Sequence, residues 1–116
     1  MASVTLYGIK NCDTVKKARK WLDANSVPYT FHDFRIDGTD KTLVNNFLKQ
    51  IDLETLINKR GTTWRKLSDE EKDFKNKTQA VELILENPTI IKRPVLDVNK
   101  KYFVGFKDEN YKSIKF

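Results

Sequence analysis

The sequence predicts an α/β domain whose sheet has a parallel half and a hairpin half, and three observations predict it. A strand, a helix and a second strand fit within the first stretch of about thirty residues, the length of a βαβ unit. A central stretch from about Asp40 to Asn87 carries helical signals only. The C-terminal third returns to two short strands and a closing helix, so the order is β-α-β, helices, β-β-α.

Each element has its own warrant. Val4-Thr5-Leu6-Tyr7-Gly8-Ile9 is rich in β-branched and aromatic residues and reads as a buried strand. Val15, Ala18 and Leu22 then recur at helical spacing, Trp21 widens the stripe, and Lys16, Lys17, Arg19, Lys20 and Asp23 take the opposite face. Asn25-Ser26-Val27-Pro28 stops that helix, and Tyr29–Phe34 forms the second strand. Asp40 caps a helix that places Leu43, Val44, Phe47, Leu48 and Ile51 on one face. Leu53, Leu56 and Ile57 make a second short helix, ending in Asn58-Lys59-Arg60-Gly61, and Gly61–Arg65 reads as a loop. Ser68-Asp69-Glu70-Glu71 is a capping box, and Ala80–Leu85 forms a mostly buried helix that ends before Asn87-Pro88. Asn99-Lys100 joins strands Pro94–Val98 and Lys101–Phe106 in a tight hairpin, and Asp108 caps a terminal helix using Tyr111 and Ile114.

The chain has 116 residues, room for one domain and little else. Seven Phe, four Tyr and two Trp argue against disorder. No apolar run approaches the ~20 residues that span a bilayer. Met1–Tyr7 has neither a basic n-region nor an apolar h-region, so the expected location is cytoplasmic. One cysteine, Cys12, excludes an internal disulfide, and with one histidine, His32, it cannot supply a Cys/His zinc site; no metal is expected. The net charge of +6 suits an anionic small molecule, an acidic protein partner or nucleic acid, but no nucleic-acid recognition motif supports the last. A monomer is expected. No Gly-x-Gly-x-x-Gly run indicates a bound nucleotide cofactor.

Cys12 falls where the first strand ends and the first helix begins. The helix dipole and the unsatisfied N–H groups of the first turn favour thiolate, the nucleophilic form; Lys10, Lys16 and Lys17 reinforce this and Asp13 opposes it. Val15 stands where a Cys-x-x-Cys motif needs its second sulfur. A redox cycle through Cys12 therefore requires an external thiol, for which glutathione is the obvious candidate. Arg60 and Arg93 offer planar forks for carboxylates and oxyanions. His32 reads as an ordinary polar strand residue rather than a base for Cys12.

Three blocks, Val4–Thr14 around Cys12, Arg60-Gly61-Thr62-Thr63-Trp64-Arg65-Lys66-Leu67, and Ile90-Ile91-Lys92-Arg93-Pro94, together resemble the YffB branch of the ArsC family over nearly the whole chain. The resemblance implies a thioredoxin-like core with a mixed four-stranded sheet, forming one domain over residues 1–116 with a helical insertion at about 40–92. It also implies a cis peptide before Pro94, set beside the active-site cysteine. In the arsenate reductases of this family a cysteine attacks the oxyanion, arginines hold it, and glutathione resolves the adduct. By that likeness Cys12 is the nucleophile, Arg60 and Arg93 are catalytic anion holders, and Lys10, Asn11, Thr14, Arg60, Arg93 and Pro94 bind glutathione or a substrate anion. The third arginine is replaced by Phe106-Lys107, and the family's histidine, serine and arginine by Gly8, Val15 and Lys16. The expected activity is a glutathione-dependent thiol reductase, weak on arsenate, acting on an oxidised thiol or small anionic substrate with glutathione as co-substrate and no bound cofactor. The alternative is a protein similar to the Spx-like regulators, which bind the RNA polymerase α-subunit, here without their Cys-x-x-Cys switch.

Overall fold

Val4–Gly8 forms the central strand β1, because its alternate residues Val4 and Leu6 have an apolar face to bury against. The computed structural model describes residues 3–116; Met1 and Ala2, part of the stretch read for a secretory signal, lie outside the described residues. After β1 come α1 (Asp13–Ala24), β2 (Thr30–Asp33), α2 (Lys41–Leu48), α3 (Leu53–Leu56), α4 (Thr62–Lys66), α5 (Asp69–Lys72) and α6 (Lys77–Glu86). A 3₁₀ turn at Pro88–Ile90, β3 (Val95–Val98), β4 (Lys101–Val104) and α7 (Asp108–Lys112) complete the chain. Two units are distinguished, Met1–Asp37 with Arg93–Phe116, and Gly38–Lys92.

The first unit is a mixed four-stranded sheet of order β2-β1-β3-β4. β1 pairs in parallel with β2, from Thr5 opposite Thr30 to Gly8 opposite Asp33, and antiparallel with β3, from Val4 opposite Val98 to Tyr7 opposite Val95. That β-α-β plus β-β-α arrangement is the thioredoxin-like fold. Val4, Leu6, Leu96 and Val98 share one face with Val15, Ala18 and Leu22 of α1 and Tyr111 of α7. Burying such a side chain stabilises the fold by about 1.5–3 kcal/mol each, which is what seats both helices. The hairpin turns through Asn99 and Lys100, both at positive φ (52° and 71°), as a two-residue turn matching the strand twist requires. α1 ends in a Schellman motif in which Val27 N–H donates to Leu22 O at 2.9 Å and Ser26 N–H to Asp23 O at 3.2 Å.

The second unit is helical, apart from an isolated antiparallel bridge between Ile57 and Ile91. Asp40 Oδ1 accepts Leu43 N–H at 2.8 Å, Asn76 Oδ1 accepts Gln79 N–H at 2.9 Å, and Ser68 with Glu71 makes the full capping box. Its core includes Val44, Phe47, Leu56, Ile84, Ile90 and Ile91.

Four expectations are corrected. Thr62–Lys66 is a helix rather than a loop, because Trp64 buries its ring and Thr63 Oγ1 bonds Thr89 Oγ1 at 2.7 Å. Ile57 leaves α3 in extended geometry to make its bridge. The N-cap of α7 is Lys107, one residue before Asp108, without a side-chain cap. β4 ends at Val104, since Gly105 turns away at φ 81° and Phe106 packs edge-on against Tyr111 at 4.7 Å between ring centroids.

Candidate active site around Cys12

Cys12 is the N-cap residue of α1. Its backbone is extended (φ −116°, ψ 121°), its carbonyl accepts Lys16 N–H at 3.0 Å, and its side chain makes no capping hydrogen bond. The thiol is free, half-buried and packed against the core shared by β1 and α1. It therefore sits at the positive end of a twelve-residue helix with its sulfur uncommitted. Lys10 and Asn11 are exposed in the loop before it, and Thr14 is half-buried in the first turn of α1.

That loop is set by a residue the sequence reading passed over. Asp33, at the end of β2, is only 3% exposed. Its Oδ2 accepts Lys10 N–H at 3.1 Å, and its Oδ1 accepts Arg35 N–H at 2.8 Å and Ile36 N–H at 3.2 Å. Phe34 N–H donates to Gly8 O at 2.8 Å, so the loop leaves β1 already tied to β2. Burial pushes the Asp33 carboxyl up, but the three backbone N–H groups and the Lys10 charge outweigh it and hold it below the ordinary carboxylate value. An acid in an otherwise aromatic strand, followed at once by a turn, was the available signal.

Arg93 and Pro94 approach the same end of the sheet. Tyr7 is paired with Val95, so continuing the antiparallel register puts Pro94 opposite Gly8 and Arg93 opposite Ile9, where the chain turns toward Cys12. The Arg93–Pro94 peptide is cis. Pro94 is buried and its carbonyl accepts Gly105 N–H at 2.8 Å; Arg93 is half-buried, with its Nε fully covered. The hairpin thus brings to the Cys12 end of β1 a segment some eighty residues away in sequence.

Three other positions differ in placement. Arg60 is exposed and belongs to the second unit. His32 is paired with Tyr7 across the strands, its ring 5.0 Å from the Tyr7 ring, on the sheet face opposite the one α1 covers. Cys12 and His32 are therefore on opposite sides of the sheet. At the foot of β1, a Cβ built on Gly8 would lie 2.7 Å from Val15 Cγ2, so glycine there is required by the close approach of α1. Among the described residues no cluster of His, Cys, Asp and Glu has the arrangement of a metal site.

Comparison with known proteins bears on the family and the fold. The model of the ArsC family matches residues 7–114. The solved structure of a YffB protein is 42% identical, with 96% of this chain and 97% of that one covered and a TM-score of 0.90. An arsenate reductase-related protein from Brucella melitensis is 47% identical over 96% of this chain and 92% of its own, with a TM-score of 0.77. A global transcriptional regulator, Spx 2, of Lactococcus lactis is 29% identical over 95% of this chain and 84% of its own.

Proposed function

The chain belongs to the ArsC family, with an arsenate reductase-like fold, and from that premise we propose that it is a glutathione-dependent thiol oxidoreductase working through Cys12 alone. The observation that carries this reading is the uncommitted Cys12 sulfur at the start of α1, at the end of β1 to which the register also brings Arg93 and Pro94.

The cycle needs two exchanges. Cys12 thiolate attacks the glutathionyl sulfur of a mixed disulfide; the Cys12–glutathione S–S bond forms, the substrate S–S bond breaks, and the substrate leaves as its reduced thiolate. A second glutathione thiolate then attacks the glutathionyl sulfur on Cys12, releasing glutathione disulfide and restoring the Cys12 thiolate. In sum one glutathione thiolate is consumed for each mixed disulfide reduced: it pairs with the glutathionyl sulfur that the substrate supplied, giving one glutathione disulfide and one substrate thiolate. Arg93 holds a glutathione carboxylate through its fork, and the main chain of Lys10 and Asn11, with Thr14, lines the approach.

Mass spectrometry after treatment with glutathione disulfide tests the assignment. One glutathionyl adduct on Cys12, released by added glutathione, is the expected result, with turnover of small mixed disulfides abolished in Cys12→Ser. Arg93→Ala should weaken glutathione binding by about 1.5–3 kcal/mol, the range for a hydrogen bond to a charged group, and Arg93→Lys should recover part of it. A Cys12 that stays unmodified removes the reading.

The likeness to the Lactococcus regulator favours a second reading, a transcription-linked protein that binds the RNA polymerase α-subunit. Val15 leaves such a protein without a two-cysteine switch. Retention of the purified α-subunit by the immobilised chain would decide for it.

A further inference from the structure

The second unit carries a cavity of about 420 Å³ where the end of α2, the start of α3 and the approach to α6 meet. Buried Ile51 and half-buried Leu48, Leu53 and Phe74 give it an apolar wall. Two exposed side chains of opposite charge, Asp52 and Lys77, also line it. Asp52 is the N-cap of α3, yet its carboxylate caps nothing. Among the described residues, neither Asp52 nor Lys77 takes part in an ion pair or a side-chain hydrogen bond.

The other two polar side chains of the lining, Lys75 and Asn76, are tied to their own segment. Lys75 Nζ donates to Asp73 Oδ2 at 2.7 Å, Lys75 N–H donates to Gln79 Oε1 at 2.7 Å, and Asn76 Oδ1 accepts Gln79 N–H at 2.9 Å. The main chain of the remaining lining is fixed as well. Ile51 N–H donates to Phe47 O at 2.8 Å, and Asp52 O accepts Thr55 N–H at 3.1 Å and Leu56 N–H at 3.0 Å. A fixed backbone that presents two uncommitted charged heads of opposite sign loses little ordering entropy on binding.

We propose that this cavity binds a free α-amino acid with a large apolar side chain. Near neutral pH such a molecule carries an ammonium and a carboxylate on one carbon, the first for Asp52 and the second for Lys77. Its side chain then meets the wall of Leu48, Leu53 and Phe74. A simple anion would pair with Lys77 but face Asp52 as a like charge, and a simple cation would pair with Asp52 but face Lys77. A few placed charges on a mainly apolar lining are the usual composition of a small-molecule site. The volume also lies within the roughly 300–1,000 Å³ that such sites span.

The test is an amide-shift titration of the full-length ¹⁵N-labelled protein at low salt with L-leucine. Separate titrations use N-acetyl-L-leucine, L-leucinamide and glycine, which lack the ammonium, the carboxylate and the side chain in turn. Saturable shifts centred on Asp52, Leu53, Phe74 and Lys77 are expected, with leucine bound about tenfold more tightly than each of the others, the loss of one interaction with a charged group. Asp52→Asn should bring leucine down to the affinity of N-acetyl-L-leucine and leave the latter unchanged. Lys77→Gln should do the same toward L-leucinamide, and in both variants the rest of the spectrum should stay as it is. No saturable shift at the cavity would overturn the site, and equal leucine affinity in the wild type and either variant would remove that residue's charge from it. N-acetyl-L-leucine or L-leucinamide binding as tightly as leucine would overturn the amino-acid class, and glycine doing so would overturn the apolar side chain. None of the four probes offers a sulfur to exchange, so this outcome is separate from that of the Cys12 adduct experiment.

Discussion

Asp33 does at the scale of one residue what a longer loop would otherwise need several contacts to do. Its carboxylate gathers the N–H groups of Lys10, Arg35 and Ile36, and so fixes both the exit from β1 and the turn after β2. Because its folded pKa lies below the unfolded one, its contribution to stability is fully present above the ordinary value of about 3.9 and is lost as pH falls through the lower folded value. Urea unfolding across a series of acid pH values should show that loss in the wild type and a shallower one in Asp33→Asn. At neutral pH the same variant should be less stable by about 1–3 kcal/mol, because an amide nitrogen replaces one acceptor in a buried cluster of donors. Identical acid limbs in the two proteins would remove Asp33 from this role.

At the scale of an element, α1 is correctly ended by an unfavourable residue. The Schellman bonds of Ser26 and Val27 demand a left-handed backbone at Ser26, which lies at φ 55° without being glycine. Val27 then packs against the cluster that contains Leu22, and this contact holds the geometry in place. Ser26→Gly should therefore stabilise the protein by about 0.5–1 kcal/mol, the relief of the left-handed strain less the extra freedom of an unfolded glycine. A denaturation midpoint that falls would contradict the strain. The sequence announced the stop through Asn25-Ser26-Val27-Pro28 but not its form, because serine is an unusual residue for the left-handed position.

For the whole molecule, strands and long helices were legible because their apolar residues repeat with a clean period and their ends carry recognisable caps. Asp40, the Ser68–Glu71 box and Asn99-Lys100 each stand where the pattern puts them. Short elements were less legible. The five residues of α4 hold one buried ring, too little for a period to appear, and its support comes from Thr89, distant in sequence. The placement of Cys12 at a helix start followed from local pattern, and that of Arg93 and Pro94 from a hairpin that had to bury Val95 and Val98 beside β1. The departures from the reductase pattern also read more sharply in three dimensions. Phe106 is given to the packing of Tyr111, Lys107 to the start of α7, and Val15 is wholly buried without a hydroxyl. Arsenate turnover with glutathione and glutaredoxin should accordingly stay below ~1 s⁻¹, the low end for ordinary enzymes. A higher rate in a coupled assay would show that these three positions are dispensable.

The 2.7 Å approach of Val15 to Gly8 also constrains the order in which this sequence can change. Val15 is β-branched and lies in a helix, so its methyl groups cannot swing aside to admit a side chain at position 8. Any replacement of Gly8 made first meets that wall, while shrinking Val15 first opens the space at the cost of a small cavity. The two positions are thus epistatic, and an arsenate reductase-like pair of residues is reachable from this chain by one route only. A double-mutant cycle makes the dependence measurable: Gly8→Ala should cost about 1–3 kcal/mol beside Val15 and clearly less beside Val15→Ser. Strict additivity of the two changes would mean that both histories were open.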